Sequence, residues 1–258
     1  MQVHQQRCFG ATPGTGNPAL VIEGGPADQA ARRAFAQAQN ITCVYLDAAP
    51  APGIAATLDY HYPHMRSPLC LHATLAAAHI LFARQADTVP LAVVTALGGQ
   101  QLALTREGSE LFVRLASQPA AQVETSDALL ARLLAAPGFT PMARPVVASV
   151  GSPKLLVEVA DAATLHALRP DLALIVEWGK THGINGCYVY CRVGEDLYEG
   201  RNFNHLDPAL EDRATGVAAG ALTALLGRGI TLLQGAGCLI RTRVSGGAIL
   251  IGGQAEPA

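Results

Sequence analysis

The chain has 258 residues, long enough to bury one large core or two smaller ones. Half of these residues are hydrophobic and 15% are charged, so much of the chain must lie inside. With 18 basic residues against 20 acidic and a net charge of −2, no basic stripe recommends nucleic acid or an anionic membrane as a partner.

Val3 to Phe9 reads as a strand, and Ala19 to Ile22 as a second. Between them, Thr12-Pro13-Gly14-Thr15-Gly16-Asn17-Pro18 has the Gly and Pro density of a tight turn. An Ala-rich helix is predicted from Asp28 to Gln39, with Asp28 favouring its first turn. Ile41 to Leu46 and Tyr60 to Tyr62 are strand-like. Leu91 to Thr95, Gln101 to Leu104 and Leu111 to Leu115 form a meander with a turn at Gly98-Gly99. The later part repeats the plan. Strands are predicted over Ala143 to Val150, Lys154 to Val159, Cys187 to Val193 and Leu197 to Asn202, and helices over Asp161 to Leu168 and Asp171 to His182. The tail from Thr231 reads as β structure with turns at Gly246-Gly247 and Gly252-Gly253.

Two helical segments carry no Asp, Glu, Lys or Arg: His72 to Ala83 and Thr215 to Leu226. Helices apolar on every side belong in a core. Their openings, Ala73-Thr74 and Ala214-Thr215, are alike and lie about half the chain apart, which suggests an internal duplication. We therefore expect an α/β (α+β) protein of two pseudo-twofold-related halves, residues 1–125 and 126–258, each wrapping a sheet around one central helix. The C-terminal strand is free to return to the first half.

The first residues, Met1 to Arg7, lack the apolar stretch of a secretory signal, and the apolar run from Leu69 to Ala83 is too short to span a bilayer. The expectation is a cytoplasmic protein outside the membrane, with its six cysteines reduced. No Cys-x-x-Cys or His-x-x-x-His pair occurs, so no metal site is expected.

Polar residues gather just before each central helix: Met65 to His72 before the first, and Asn202 to His205 with Glu211-Asp212-Arg213 before the second. A helix N-terminus offers free N–H groups and partial positive charge, so it suits a carboxylate and the charge that develops as an α-proton leaves. Such a site needs acid–base groups at its rim.

The segment Glu211-Asp212-Arg213-Ala214-Thr215-Gly216-Val217-Ala218 resembles the Glu-Asp-Pro-Ala-Thr-Gly-Ser-Ala motif of the PhzF-like (phenazine biosynthesis) family. Cys70-Leu71-His72-Ala73-Thr74-Leu75-Ala76 resembles that family's Cys-Gly-His-Ala-Thr-Leu-Ala motif, and Gly16-Asn17-Pro18 its N-terminal turn. Gly151-Ser152-Pro153-Lys154 stands where the family often has a Gly-x-Pro segment. These features keep the family's order along nearly the whole chain. The resemblance implies the diaminopimelate-epimerase-like fold with a cleft between its halves. It also implies isomerisation of a small carboxylate-bearing substrate through α-proton abstraction, with no cofactor, and a homodimer.

The departures matter too. Cys43 occupies the position of the family's acid–base glutamate, Leu71 replaces a glycine, Arg213 a proline and Val217 a serine. More distant members of the fold use two cysteines as opposed acid and base, and the second of those positions corresponds to Asp212. The resemblance thus nominates Cys43, Asp212 and His72 as catalytic, with Asn17, Leu71, Ala73, Gly216 and Val217 against the substrate. Cys43 has two readings, a thiol base or a small buried filler. The protein has three: an isomerase or epimerase using Cys43, His72 and Asp212; a double-bond isomerase with a single acid–base group; or a binding protein that lost turnover. His79, Trp178, Tyr188 and Tyr190 read as packing residues.

Overall fold

The computed structural model describes residues 1–85, 89–206 and 211–258. They form two compact units. The first comprises residues 1–115, 236–239 and 250–258, and the second residues 116–235 and 240–249.

In the first unit the strands are β1 (Gln2–Cys8), β2 (Asn17–Glu23), β3 (Thr42–Asp47), β4 (Thr57–His61), the short β5 (Arg66–Ser67), β6 (Leu91–Thr95), β7 (Gln101–Glu107) and β8 (Glu110–Ala116). They run in the order β1-β2-β3-β4-β6-β7-β8, and the end of β15 (Ala248–Pro257) follows β8. β15 also pairs with β1, with Cys8 opposite Ala255 and Gln6 opposite Pro257, so the sheet closes on itself. Inside lies α2 (Leu71–Ala83). Every residue from Leu71 to Ala78 is buried, as expected for a helix without charge on any face. Outside, α1 (Gln29–Gln39) begins at Asp28, whose carboxylate caps the Ala31 N–H at 2.8 Å, and ends at Asn40 in the left-handed conformation.

The two faces of this sheet differ in chemistry. Tyr60 donates to or accepts from the Thr74 hydroxyl of α2 at 2.8 Å, so the face carrying Tyr60 and its cross-strand partner Val44 looks inward. The alternate residues Cys43, Tyr45, Asp59 and His61 look toward α1. There Asp59, 1% exposed, accepts from Arg32 Nη1 at 2.9 Å, Arg66 Nε at 2.7 Å and Gln29 Nε2 at 3.0 Å. The Arg32 guanidinium also pairs with Asp47 and lies 4.4 Å from the centre of the Tyr45 ring. Buried charge is tolerated here because each group meets opposite charge and hydrogen bonds.

The second unit carries β9 (Val146–Ala148), β10 (Lys154–Glu158), β11 (Cys187–Arg192), β12 (Leu197–Phe203), β13 (Thr231–Gln234) and most of β14 (Cys238–Ser245) as neighbours in that order. One sheet face packs on α3 (Asp127–Leu133), α4 (Ala162–Ala167) and α5 (Leu172–His182), with Leu155, Val157, Cys187, Val189, Cys191 and Phe203 in that core. The other face takes α6 (Gly216–Leu226), whose Thr223 hydroxyl meets that of Thr242 on β14 at 2.6 Å.

Two expected features change. Gly252-Gly253 is no turn but lies inside β15. A side chain at Gly252 would run into the Leu111 carbonyl oxygen, so the strand needs a glycine for close backbone approach. The strand expected over Ala143 to Val150 shrinks to Val146–Ala148, since Pro145 has no N–H to extend the ladder.

Candidate active site

Helix capping separates two of the six described helices from the rest. Asp28, Ser126, Asp161 and Asp171 each put a side-chain oxygen on an N–H in the first turn of α1, α3, α4 and α5. The starts of α2 and α6, at Cys70 and Thr215, have no side-chain cap. In α6 the Ala218 and Ala219 N–H groups bond to the Thr215 carbonyl, which leaves those of Gly216 and Val217 with no acceptor among the described residues. In α2 the Thr74 N–H bonds to the Cys70 carbonyl, and those of Leu71 and Ala73 have none among the described residues. Four of the residues nominated from sequence to face the substrate are thus these uncapped N–H positions. An open helix start is an anion site in waiting.

In the second unit, Asp212 stands just ahead of α6. Its carboxylate accepts from Asn202 Nδ2 at 3.2 Å and the Thr215 hydroxyl at 3.3 Å, and His205 Nε2 lies 3.9 Å away. The side chain is 28% exposed. Gln234 fixes this arrangement from below. Its Oε1 accepts from the Tyr188 hydroxyl at 2.9 Å and from the Thr215 N–H at 3.2 Å, while its Nε2 donates to the Asp212 carbonyl at 2.8 Å and the Thr215 hydroxyl at 2.9 Å. The Tyr188 ring reaches Gln234 by crossing β12 over Gly200, where any side chain would collide with it. A cavity of about 130 Å³ adjoins the cluster, bordered by Asn202, Phe203, His205, Glu211 and Leu168. Glu211 is held in a two-point ion pair with Arg201, at 3.0 and 2.8 Å.

In the first unit, His72 is the second residue of α2 and 6% exposed, with its Nδ1 3.3 Å from the Cys70 thiol. Asn17 opens β2, opposite Cys8. Burial, and after it the neighbouring Cys70 and Cys238 thiols, push the Cys8 thiol far up. His79 is half-buried, and burial lowers its pKa, in keeping with a packing role.

Cys43 is placed elsewhere. It sits with Leu20, Ile22, Ala36 and Tyr45 in the layer beneath α1, on the sheet face opposite α2, and is fully buried. Burial pushes its thiol up to about 12, the reverse of what a thiol base near neutrality requires. Its sulfur contacts the Ile41 carbonyl at 3.4 Å. The strand's period of two sends Thr42 and Val44 inward and Cys43 outward.

Sequence reasoning missed Gln234, Asn202 as the carboxylate's donor, the buried Lys154 and the hydroxyl of Tyr188. Only a polar residue amid apolar β-strand neighbours marks them, and that signal becomes specific once the register aligns them on one face. Among the described residues, no cluster of three His, Cys, Asp or Glu side chains could hold a metal ion. No helix among them is long and apolar enough to cross a membrane.

Known proteins share this framework. A predicted epimerase from Pseudomonas aeruginosa superposes with a TM-score of 0.79 at 25% identity, covering 99% of this chain and 96% of the other. A hydroxyproline epimerase from Agrobacterium vitis, solved with trans-4-hydroxy-L-proline, has the same fold at a TM-score of 0.64 and 14% identity, over 100% of this chain and 90% of the other. An uncharacterised isomerase of Deinococcus radiodurans is 30% identical over 184 residues, which are 65% of this chain and 57% of that protein's length. The isomerase YddE of Escherichia coli K12, also uncharacterised, is 26% identical over 241 residues, 87% of this chain and 78% of the relative. The model of the phenazine biosynthesis-like (PhzC-PhzF) family matches residues 7–244, nearly the full length, and the chain belongs to that family.

Proposed function

We propose that this protein is an isomerase that moves a proton next to the carboxylate or carbonyl of a small acid, without a metal or nucleotide, using Asp212 as its acid–base group. The observation that carries the reading is the pair of uncapped starts on the two buried helices, where every other described helix is capped. The N–H groups of Gly216 and Val217 hold the substrate's carboxylate. They stabilise the negative charge that spreads onto it as the proton leaves. Asp212, partly exposed and fixed by Asn202, Thr215 and Gln234, takes the proton and returns it. His72 completes the polar surface at the start of α2.

With Cys43 facing α1, a single acid–base group suits migration of a proton or double bond along one face better than inversion of a stereocentre, which needs a second group on the opposite side. The names of the family relatives, isomerases and a predicted epimerase, support the reaction class. A second reading, a binding protein without turnover, draws on the absence of the family's glutamate from the position of Cys43.

The test is proton exchange in heavy water, followed by NMR over a panel of small amino, hydroxy and unsaturated cyclic acids. Deuterium should enter at the carbon next to the carboxylate of at least one acid. Incorporation should fall at least about a hundredfold in Asp212→Asn, the scale of general acid–base catalysis, and should also drop in His72→Gln. Ligands that raise the melting temperature without any exchange would replace this proposal with the binding reading.

A further inference from the structure

The second unit holds a lysine in its interior. Lys154 begins β10 and is 1% exposed. Its ammonium donates to the Asn185 carbonyl at 2.6 Å, its one acceptor among the described residues, although an ammonium has three N–H donors. Lysines are rarely buried this fully without a charged partner.

The register shows where it points. Leu155 and Val157 face the core beneath α5, so Lys154 and Leu156 face the other way, toward α6. Leu156 lies beside Tyr188 of β11, Tyr188 opposite Asn202 of β12, and Gly200, two residues before Asn202, beside Gln234 of β13. Four adjacent strands therefore present Lys154, Tyr188, Asn202 and Gln234 on one face. Two of these side chains bond directly to Asp212, and Tyr188 reaches it through Gln234. Lys154 is the cation of that platform.

We propose that Lys154 is a positioning residue, the buried counter-cation of Asp212, which holds that carboxylate ionised and ready to take a proton. The inference rests on the reading of Asp212 as the acid–base group. Other basic groups stand near Asp212. Arg201 is engaged by Glu211, Arg213 is exposed, and His205 lies 3.9 Å away and holds a full charge only when protonated. Cys187, the neighbour of Lys154 on β11, is a neutral thiol, since burial pushes it up to about 12. The Tyr188 hydroxyl is likewise kept neutral by burial. Neither α6 nor β13 carries a charged residue. Burial lowers Lys154 to about 8, with the Asp212 carboxylate acting in the opposite sense. Lys154 is thus protonated through neutral pH, and the coupling between the two groups must act equally in both directions.

The experiment titrates both partners by NMR with no substrate present. In Lys154→Met the acid dissociation constant of the Asp212 carboxyl should fall about threefold or more. In Lys154→Arg, which keeps the charge, it should stay within about twofold of wild type. In Asp212→Asn the Lys154 side chain should become easier to deprotonate by the same factor as the Lys154→Met shift. An Asp212 titration unchanged in folded Lys154→Met, or a Lys154 titration unchanged in Asp212→Asn, overturns the assignment. Should Lys154→Met fail to fold, the Asp212→Asn arm decides alone. Because no turnover is measured, an absence of proton exchange would sink the isomerase reading and leave this coupling standing.

Discussion

Gln234→Leu isolates the part of the site that depends on polar packing. The substitution keeps the side chain's approximate shape and removes four hydrogen bonds, of 2.9, 3.2, 2.8 and 2.9 Å. The Thr215 hydroxyl retains its bond to the Asp212 carboxylate. The Tyr188 hydroxyl and the Thr215 N–H are left buried without these bonds, and the part-buried Asp212 carbonyl loses that donor. An orphaned buried group costs about 1–3 kcal/mol, so two at the low end cost about 2 kcal/mol. Tyr188→Phe removes only one of these bonds, with the ring's shape kept, and should cost about 1 kcal/mol. The double variant should then be no less stable than Gln234→Leu, because the substituted ring leaves no hydroxyl to orphan. Urea unfolding followed by circular dichroism measures all three. A loss below about 1 kcal/mol in Gln234→Leu, or full additivity with Tyr188→Phe, would refute the reasoning. In the same variant the start of α6 loses its anchor, so proton exchange should decline even at temperatures where the protein is fully folded.

Asp59→Asn should destabilise the first unit by about 3 kcal/mol at neutral pH, because it strips a charge partner from Arg32, which is buried, and from Arg66. Burial alone would raise the Asp59 pKa, but the bonds from Arg66, Gln29 and His61 outweigh it and hold the carboxyl below its ordinary value. A depressed folded value makes this contribution complete above the unfolded carboxyl's pKa of about 3.9 and lost as pH falls through the folded one. Urea midpoints measured from pH 7 to pH 3 should therefore show the gap between wild type and variant closing only at the acid end. Cys43→Ala should leave proton exchange unchanged while lowering stability by about 1 kcal/mol through the small void beneath α1. Iodoacetamide should fail to label Cys43 in the folded protein. An exchange rate that collapses in Cys43→Ala would restore the thiol to the catalytic step.

Much of this architecture is legible in the residue order. A helix free of charge on every face has nowhere stable to lie except inside a sheet, and α2 and α6 are both buried where their composition requires. Asp28 and Asp171 mark helix starts because a short carboxylate reaches an N–H three residues on, and both do so. Gly252 shows the opposite case. The same pair of glycines serves a turn or a close strand contact, and only the neighbouring Leu111 backbone decides between them.

The same division runs through the candidate site. Local sequence determined that Asp212 and the N–H groups of Gly216 and Val217 would stand at the start of α6, because a helix end sets their spacing within a few residues. Sequence could not assign Cys43 to a face, because the alternation of a strand says that neighbours point apart but not which side the core takes. Nor could it join Lys154, Tyr188, Asn202 and Gln234, which are up to 80 positions apart along the chain. Strand pairing decided both. It turned Cys43 toward α1 and brought four distant polar residues onto one sheet face, since hydrogen-bond register, a tertiary property, sets which residues share a sheet face.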